Sequence, residues 1–273
     1  MVGRDLHELR ERIEALAAPD GRFEVVCART GEQPFPVADR RFPDREAAAE
    51  AAGLAGRYRA ALRRYDERLP PLDLVACEAL PDDPPRPRAT AMVEFCHDLA
   101  GATFEALSAQ GFDAVERTVM DRYLDAAETV GRDELCCSLL RTAAAELAEQ
   151  LSPTEQALVL SDAAGRLSTP ATVAPDPVDG VLLRLRTLRL LEGFETHDHL
   201  DGGRHATVVL DGYALTADGR GPDGCPTLPL SLGLLRAGTR PAVTRATREG
   251  DRWELGLALD AAYPEGLCRA PVG

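Results

Sequence analysis

The chain has 273 residues, and its 45 acidic against 31 basic residues leave a net charge of −14, which speaks against a nucleic-acid binder because holding phosphates takes clustered basic side chains. An apolar share of 45% excludes a disordered or collagen-like chain, and no run approaches the ~18 apolar residues of a membrane helix. Every basic residue is Arg, Lys and Asn do not occur, and Ile13 is the single isoleucine; with the acidic excess this points to a GC-rich, salt-adapted source, where salt screens self-repulsion.

Two proline-rich stretches, Pro81–Arg88 and Ser168–Gly180, read as extended linkers and divide the chain into residues 1–80, 89–167 and 180–273. The N-terminus is charged from Arg4 onward and lacks the apolar core of a signal peptide. Segment 1–80 opens with a helix whose stripe is Leu6, Leu9, Ile13 and Leu16. Phe23–Arg29 reads as a strand and Phe35–Phe42 as a short second one, weakened by Pro36. Pro43-Asp44 start a long helix with Ala47, Ala51, Leu54, Tyr58, Leu62 and Tyr65 on its apolar face, and Leu72–Cys77 reads as a last strand. The order α-β-β-α-β predicts a small two-layer domain.

The run FEVVCARTGEQPFPVADRRFPDREAAAEAA, continuing to YRAALRRYDERLPPLDLVACE, resembles a short domain of uncharacterised haloarchaeal proteins. The resemblance covers about the first 80 residues, agrees with the salt-adapted reading, and implies no functional residues.

Segment 89–167 reads as a helical bundle. One stripe is Met92, Phe95, Cys96, Leu99, Thr103 and Leu107; a second is Phe112, Val115, Val119, Tyr123, Ala126 and Val130; a third is Leu135, Leu139, Ala143, Leu147 and Leu151. A fourth helix starts at Ser152-Pro153-Thr154-Glu155, a capping-box sequence with proline at the first helical position. Segment 180–273 reads as antiparallel and β-rich. Its expected strands are Val181–Leu191, Ala206–Leu210 before an Asp211-Gly212 turn, and the pair Ala242–Arg248 and Arg252–Leu259 around Glu249-Gly250-Asp251. The whole is thus an α+β multidomain protein.

The stretch from Thr196 to His205 carries the most chemistry. It is similar to the HxHxDH signature of metallo-β-lactamase-type hydrolases at His197, His199 and Asp201. Gly202 stands where that motif has a histidine, and no histidine follows His205, so the chain falls outside that family. A hairpin closed by Asp201–Gly203 pairs His199 with His205 and His197 with Thr207. That register puts Phe194, Val208 and Leu210 on one face and His197, His199 and His205 on the other, a three-imidazole set that could hold zinc. A solvated strand face that happens to hold histidines is the plainer reading, with no cofactor at all.

Other clusters read as structural. The seven cysteines are odd in number and widely spaced, as reduced, mostly buried thiols would be. Cys96 and Cys136 are expected in the core, with His97 exposed and Cys137 beside Cys136. Arg57, Arg59, Arg63, Arg64 and Arg68 crowd a helix end, where a solvated face opposing the helix dipole accounts for them. No P-loop and no GxSxG nucleophile elbow occurs. The expectation is a non-enzymatic cytoplasmic binding, regulatory or assembly protein with a protein partner, neither nucleic acid nor membrane. The alternative is a metal-dependent enzyme built on His197, His199 and His205.

Overall fold

A computed structural model describes residues 2–29, 31, 33–38, 40–64, 69, 71–79, 91–127, 132–167, 176–198, 205–216 and 224–270. The fold is mixed α+β with small antiparallel sheets. The stretch Pro81–Arg88, the Asp201–Gly203 loop, His199, Tyr65, Arg68 and Val130 lie outside the described residues. The chain gathers into two compact units, residues 1–113 with 167–169, and residues 114–166 with 170–273.

In unit 1, α1 (Val2–Leu16) and α2 (Arg45–Arg63) pack with a two-stranded sheet of β1 (Phe23–Cys27) and β2 (Leu74–Glu78). The strands run antiparallel, with Phe23 opposite Glu78 and Cys27 opposite Leu74. Asp44 caps α2 by accepting the Ala47 N–H at 2.9 Å. Ile13, Val25, Val37, Phe42, Ala48, Ala51 and Leu54 form a buried core, of which Ile13, Ala51 and Leu54 belong to the helix stripes read from spacing. Phe35–Phe42 does not make the expected second strand. Residues 35–38 form a turn, and only Phe42 makes a bridge, to Phe23. Proline leaves that run without the donors of a strand ladder.

Unit 1 also takes in α3 (Ala91–Ala109), which packs along α1. The helices α4 (Asp113–Ala127), α5 (Arg132–Gln150) and α6 (Pro153–Arg166) go with unit 2. The four helices grouped into one bundle by their sequence are therefore divided between the units. The α6 start is as read. Glu155 accepts from the Ser152 N–H at 2.8 Å and from its hydroxyl at 2.7 Å, and Ser152 Oγ lies 3.4 Å from the Glu155 N–H.

In unit 2, Val181–Leu191 is not a strand. Residues Pro177–Thr187 form α7, capped by Asp176, whose carboxylate accepts from Val178 and Asp179 N–H at 2.8 and 2.9 Å. The end of the expected linker is thus the start of a helix, with proline at its first position. Its other end closes with the Leu190 N–H on the Leu185 carbonyl and the Arg189 N–H on that of Arg186, both at 2.9 Å. Arg189 sits at φ 62°, where glycine is usual. A further helix, α8 (Leu228–Arg236), packs between α6 and α7 and was not foreseen.

The main sheet has the order β3-β4-β7-β6, all antiparallel: β3 (Gly193–Asp198), β4 (His205–Asp211), β6 (Ala242–Glu249) and β7 (Arg252–Ala258). Gly250, at φ 62°, makes the tight turn between Glu249 and Arg252. Val208, Leu210, Trp253, Leu255 and Leu257 are buried on one face. The Asp211-Gly212 turn leads to a 3-10 turn at Ala214–Thr216 rather than to a partner strand. The short strands β5 (Cys225–Pro226) and β8 (Arg269–Ala270) pair beside α5.

Candidate functional site

The β3–β4 hairpin has the expected register, with His197 opposite Thr207 and Phe194 opposite Leu210. His197 and His205 therefore share the solvent face, and Asp198 stands opposite Ala206 in the ladder. His199 lies outside the described residues, and among the described residues no group of three or more His, Cys, Asp or Glu is placed to hold a metal ion. His197 Nε2 lies 3.7 Å from Glu195 Oε2, and both side chains are more than half exposed.

The neighbouring charges on this face are tied together across three strands. Arg252 Nε of β7 lies 2.6 Å from Asp211 Oδ1 of β4, and its Nη2 donates to Glu195 Oε1 of β3 at 3.0 Å. The hydrogen bond and charge of Asp211, then those of Glu195, hold the Arg252 guanidinium above its ordinary range. Glu254 and Arg245 extend the exposed charge toward β6.

A second cluster, which sequence reasoning missed, is buried in unit 1. Glu105 of α3 is fully buried. It accepts from the Tyr58 hydroxyl of α2 at 2.5 Å and pairs with the Arg10 guanidinium of α1. Arg10 also pairs with Glu14, which in turn accepts from Arg40 at 2.9 Å. Burial, and then the Glu105 charge, push the Tyr58 phenol well up. Gly101 lies one turn before Glu105, and a Cβ there would stand 2.9 Å from the Tyr58 hydroxyl. Glycine therefore lets the phenol reach the carboxylate.

Arg59 belongs to the same region. It is not on a solvated face; it is 4% exposed, with Nη2 3.8 Å from Glu94 Oε1 of α3, and burial lowers its ionisation range. Arg57 and Arg64 are exposed as expected. His97 is likewise buried, at 3%, rather than exposed. The missed signal lay in α3: AMVEFCHDLAGATFEALSA is apolar around most of its circumference, and all residues from Phe95 to Leu107 except Asp98 are buried.

The remaining candidates are packing groups. Cys96, Cys136 and Cys137 are buried. Burial pushes the Cys225 and Cys268 thiols up, so both stay protonated. The run Gly219-Arg220-Gly221-Pro222-Asp223-Gly224 spells GxGxxG. It stands between the 3-10 turn and β5 instead of between a strand and a helix, so it lacks the context of a dinucleotide fingerprint. No described helix is long and apolar enough to cross a membrane.

No curated protein and no solved structure matches the chain. Two family models do. Residues 5–80 match Domain of unknown function (DUF7552), and residues 92–273 match Domain of unknown function (DUF7551). The division falls at the proline-rich stretch, while α3, inside the second match, packs in the unit formed by the first. Since the second match spans well over half of the residues, the chain belongs to the family Domain of unknown function (DUF7551), with the match to DUF7552 ahead of it.

Proposed function

We propose that the chain is a non-enzymatic binding, regulatory or assembly protein of a salt-adapted, haloarchaeal cytoplasm, which offers the solvent face of β3-β4-β7-β6 to a protein partner. The observation that carries this reading is the Glu195–Arg252–Asp211 network, a set of opposite charges spread over an exposed sheet face. Such a face suits a macromolecular surface of complementary charge, whereas small substrates are held in concave sites. The net charge of −14 favours a protein over a nucleic acid, because it repels phosphates. The all-Arg basic set and the acidic excess support the salt-adapted source.

The test is the size of the native complex in gently lysed cells that make the protein. The expected result is wild type in a larger assembly, and the double variant Arg245→Glu with Glu254→Arg running as the free chain with an unchanged Tm. Wild type running as the free chain would overturn the reading.

The hairpin register supports a second reading, a metal-dependent enzyme using His197, His199 and His205, since it puts His197 and His205 on one face. Metal analysis of the purified protein separates the two. Stoichiometric zinc that disappears in His197→Ala and His205→Ala would establish the second reading.

A further inference from the structure

We propose that the DUF7552 region is a receptor for a helix, and that its occupant is α3, the leading helix of the DUF7551 region. The receptor surface has an apolar floor and two buried cationic sockets. Leu6, Phe35, Tyr58, Leu62 and Leu69 form the floor, on which Val93 of α3 packs. Arg10 of α1 is one socket and takes Glu105. Arg59 of α2 is the other and faces Glu94.

The ligand side has a readable spacing. Glu94, Gly101 and Glu105 are seven and four residues apart, which places them on one face of a helix. Glu105 pairs directly with Arg10, and Glu94 stands 3.8 Å from Arg59. Gly101 between them admits the Tyr58 hydroxyl, which a side chain at that position would block. The partner chemistry is therefore an apolar helix bearing acid-x6-Gly-x3-acid. A helix lacking Glu105 takes the buried carboxylate away from both Arg10 and the Tyr58 hydroxyl, so the receptor discriminates as well as binds. The inference rests on unit 1 alone and is independent of what the sheet of unit 2 binds.

The experiment uses the full chain with a site-specific protease sequence inserted between Pro84 and Pro85. After cleavage the halves are expected to co-elute, and a synthetic peptide spanning Ala91–Ala109 in excess is expected to displace the C-terminal half. Peptides with Glu105→Gln or Gly101→Leu should compete at least tenfold less well. In the cleaved chain itself, Glu105→Gln should raise the Kd between halves at least tenfold. If that chain variant fails to fold, the peptide comparison still decides. Halves that separate in the wild type, a wild-type peptide that does not displace, or variant peptides that compete equally well would each overturn the proposal.

Discussion

Tyr58 shows how one side chain can serve two purposes. Its ring belongs to the apolar floor, standing edge-on to Phe35 with centroids 5.5 Å apart, while its hydroxyl serves the Glu105 carboxylate. A hydrogen bond to a charged group contributes about 2 kcal/mol, and Tyr58→Phe is expected to lower the unfolding free energy by about that amount in urea titrations. The folded state raises the phenol, so its contribution is complete below the ordinary tyrosine value of about 10 and is lost as pH rises through the higher folded value. Wild type should therefore lose stability above pH ~10 more steeply than Tyr58→Phe. Arg189 offers the opposite opportunity. A non-glycine residue in the left-handed region costs roughly 1 kcal/mol, so Arg189→Gly should stabilise unit 2 by up to about that much, read as a rise in Tm.

At the scale of elements, the helix caps set boundaries that titrate. The Ser152 hydroxyl, and then its N–H, lower the Glu155 carboxyl below the usual range. The cap thus stabilises α6 above the ordinary carboxylate value of about 4.3 and is lost as pH falls through the lower folded value. Ser152→Ala is expected to lower Tm at neutral pH and to flatten its fall under acid. This cap was legible because its donors and acceptors are three residues apart. The same holds for the long stripes of α1 and α2 and for the β6–β7 pair, where local pattern and final burial coincide. The Val181–Leu191 run misled because Val-Leu-Leu-Arg-Leu-Arg alternates like a strand, while Asp176-Pro177, a helix start, was absorbed into a proline-rich linker. The hairpin register was legible from which residues had to be buried. The Arg10–Tyr58–Glu105 cluster was not, because no local rule links residues 95 positions apart.

For the molecule as a whole, charge and connectivity set behaviour. A net charge of −14 is self-repelling, and salt at 1 M reduces the screening length to about 3 Å. Melting in 0.1 M and in 2 M salt should show a higher Tm in the latter; a flat or falling Tm would remove the salt-adapted reading. Arg88 lies between the two family matches and is followed by alanine, whereas Arg86 is followed by proline. Limited trypsin digestion should therefore cut first after Arg88, and first cuts within α4–α6 would contradict the modular reading.

The pairing of Arg10 with Glu105 also fixes an order in time. A ribosome adding about 5–20 residues per second needs about 5–19 s to cover the 95 residues between them. The last 25 of those residues, about 1–5 s of synthesis, follow the end of the first family match at residue 80, and over them that region is complete while Glu105 is still to be made. Synthesis of the second family's first helix, rather than the end of the first family's sequence, is what allows the N-terminal unit to close.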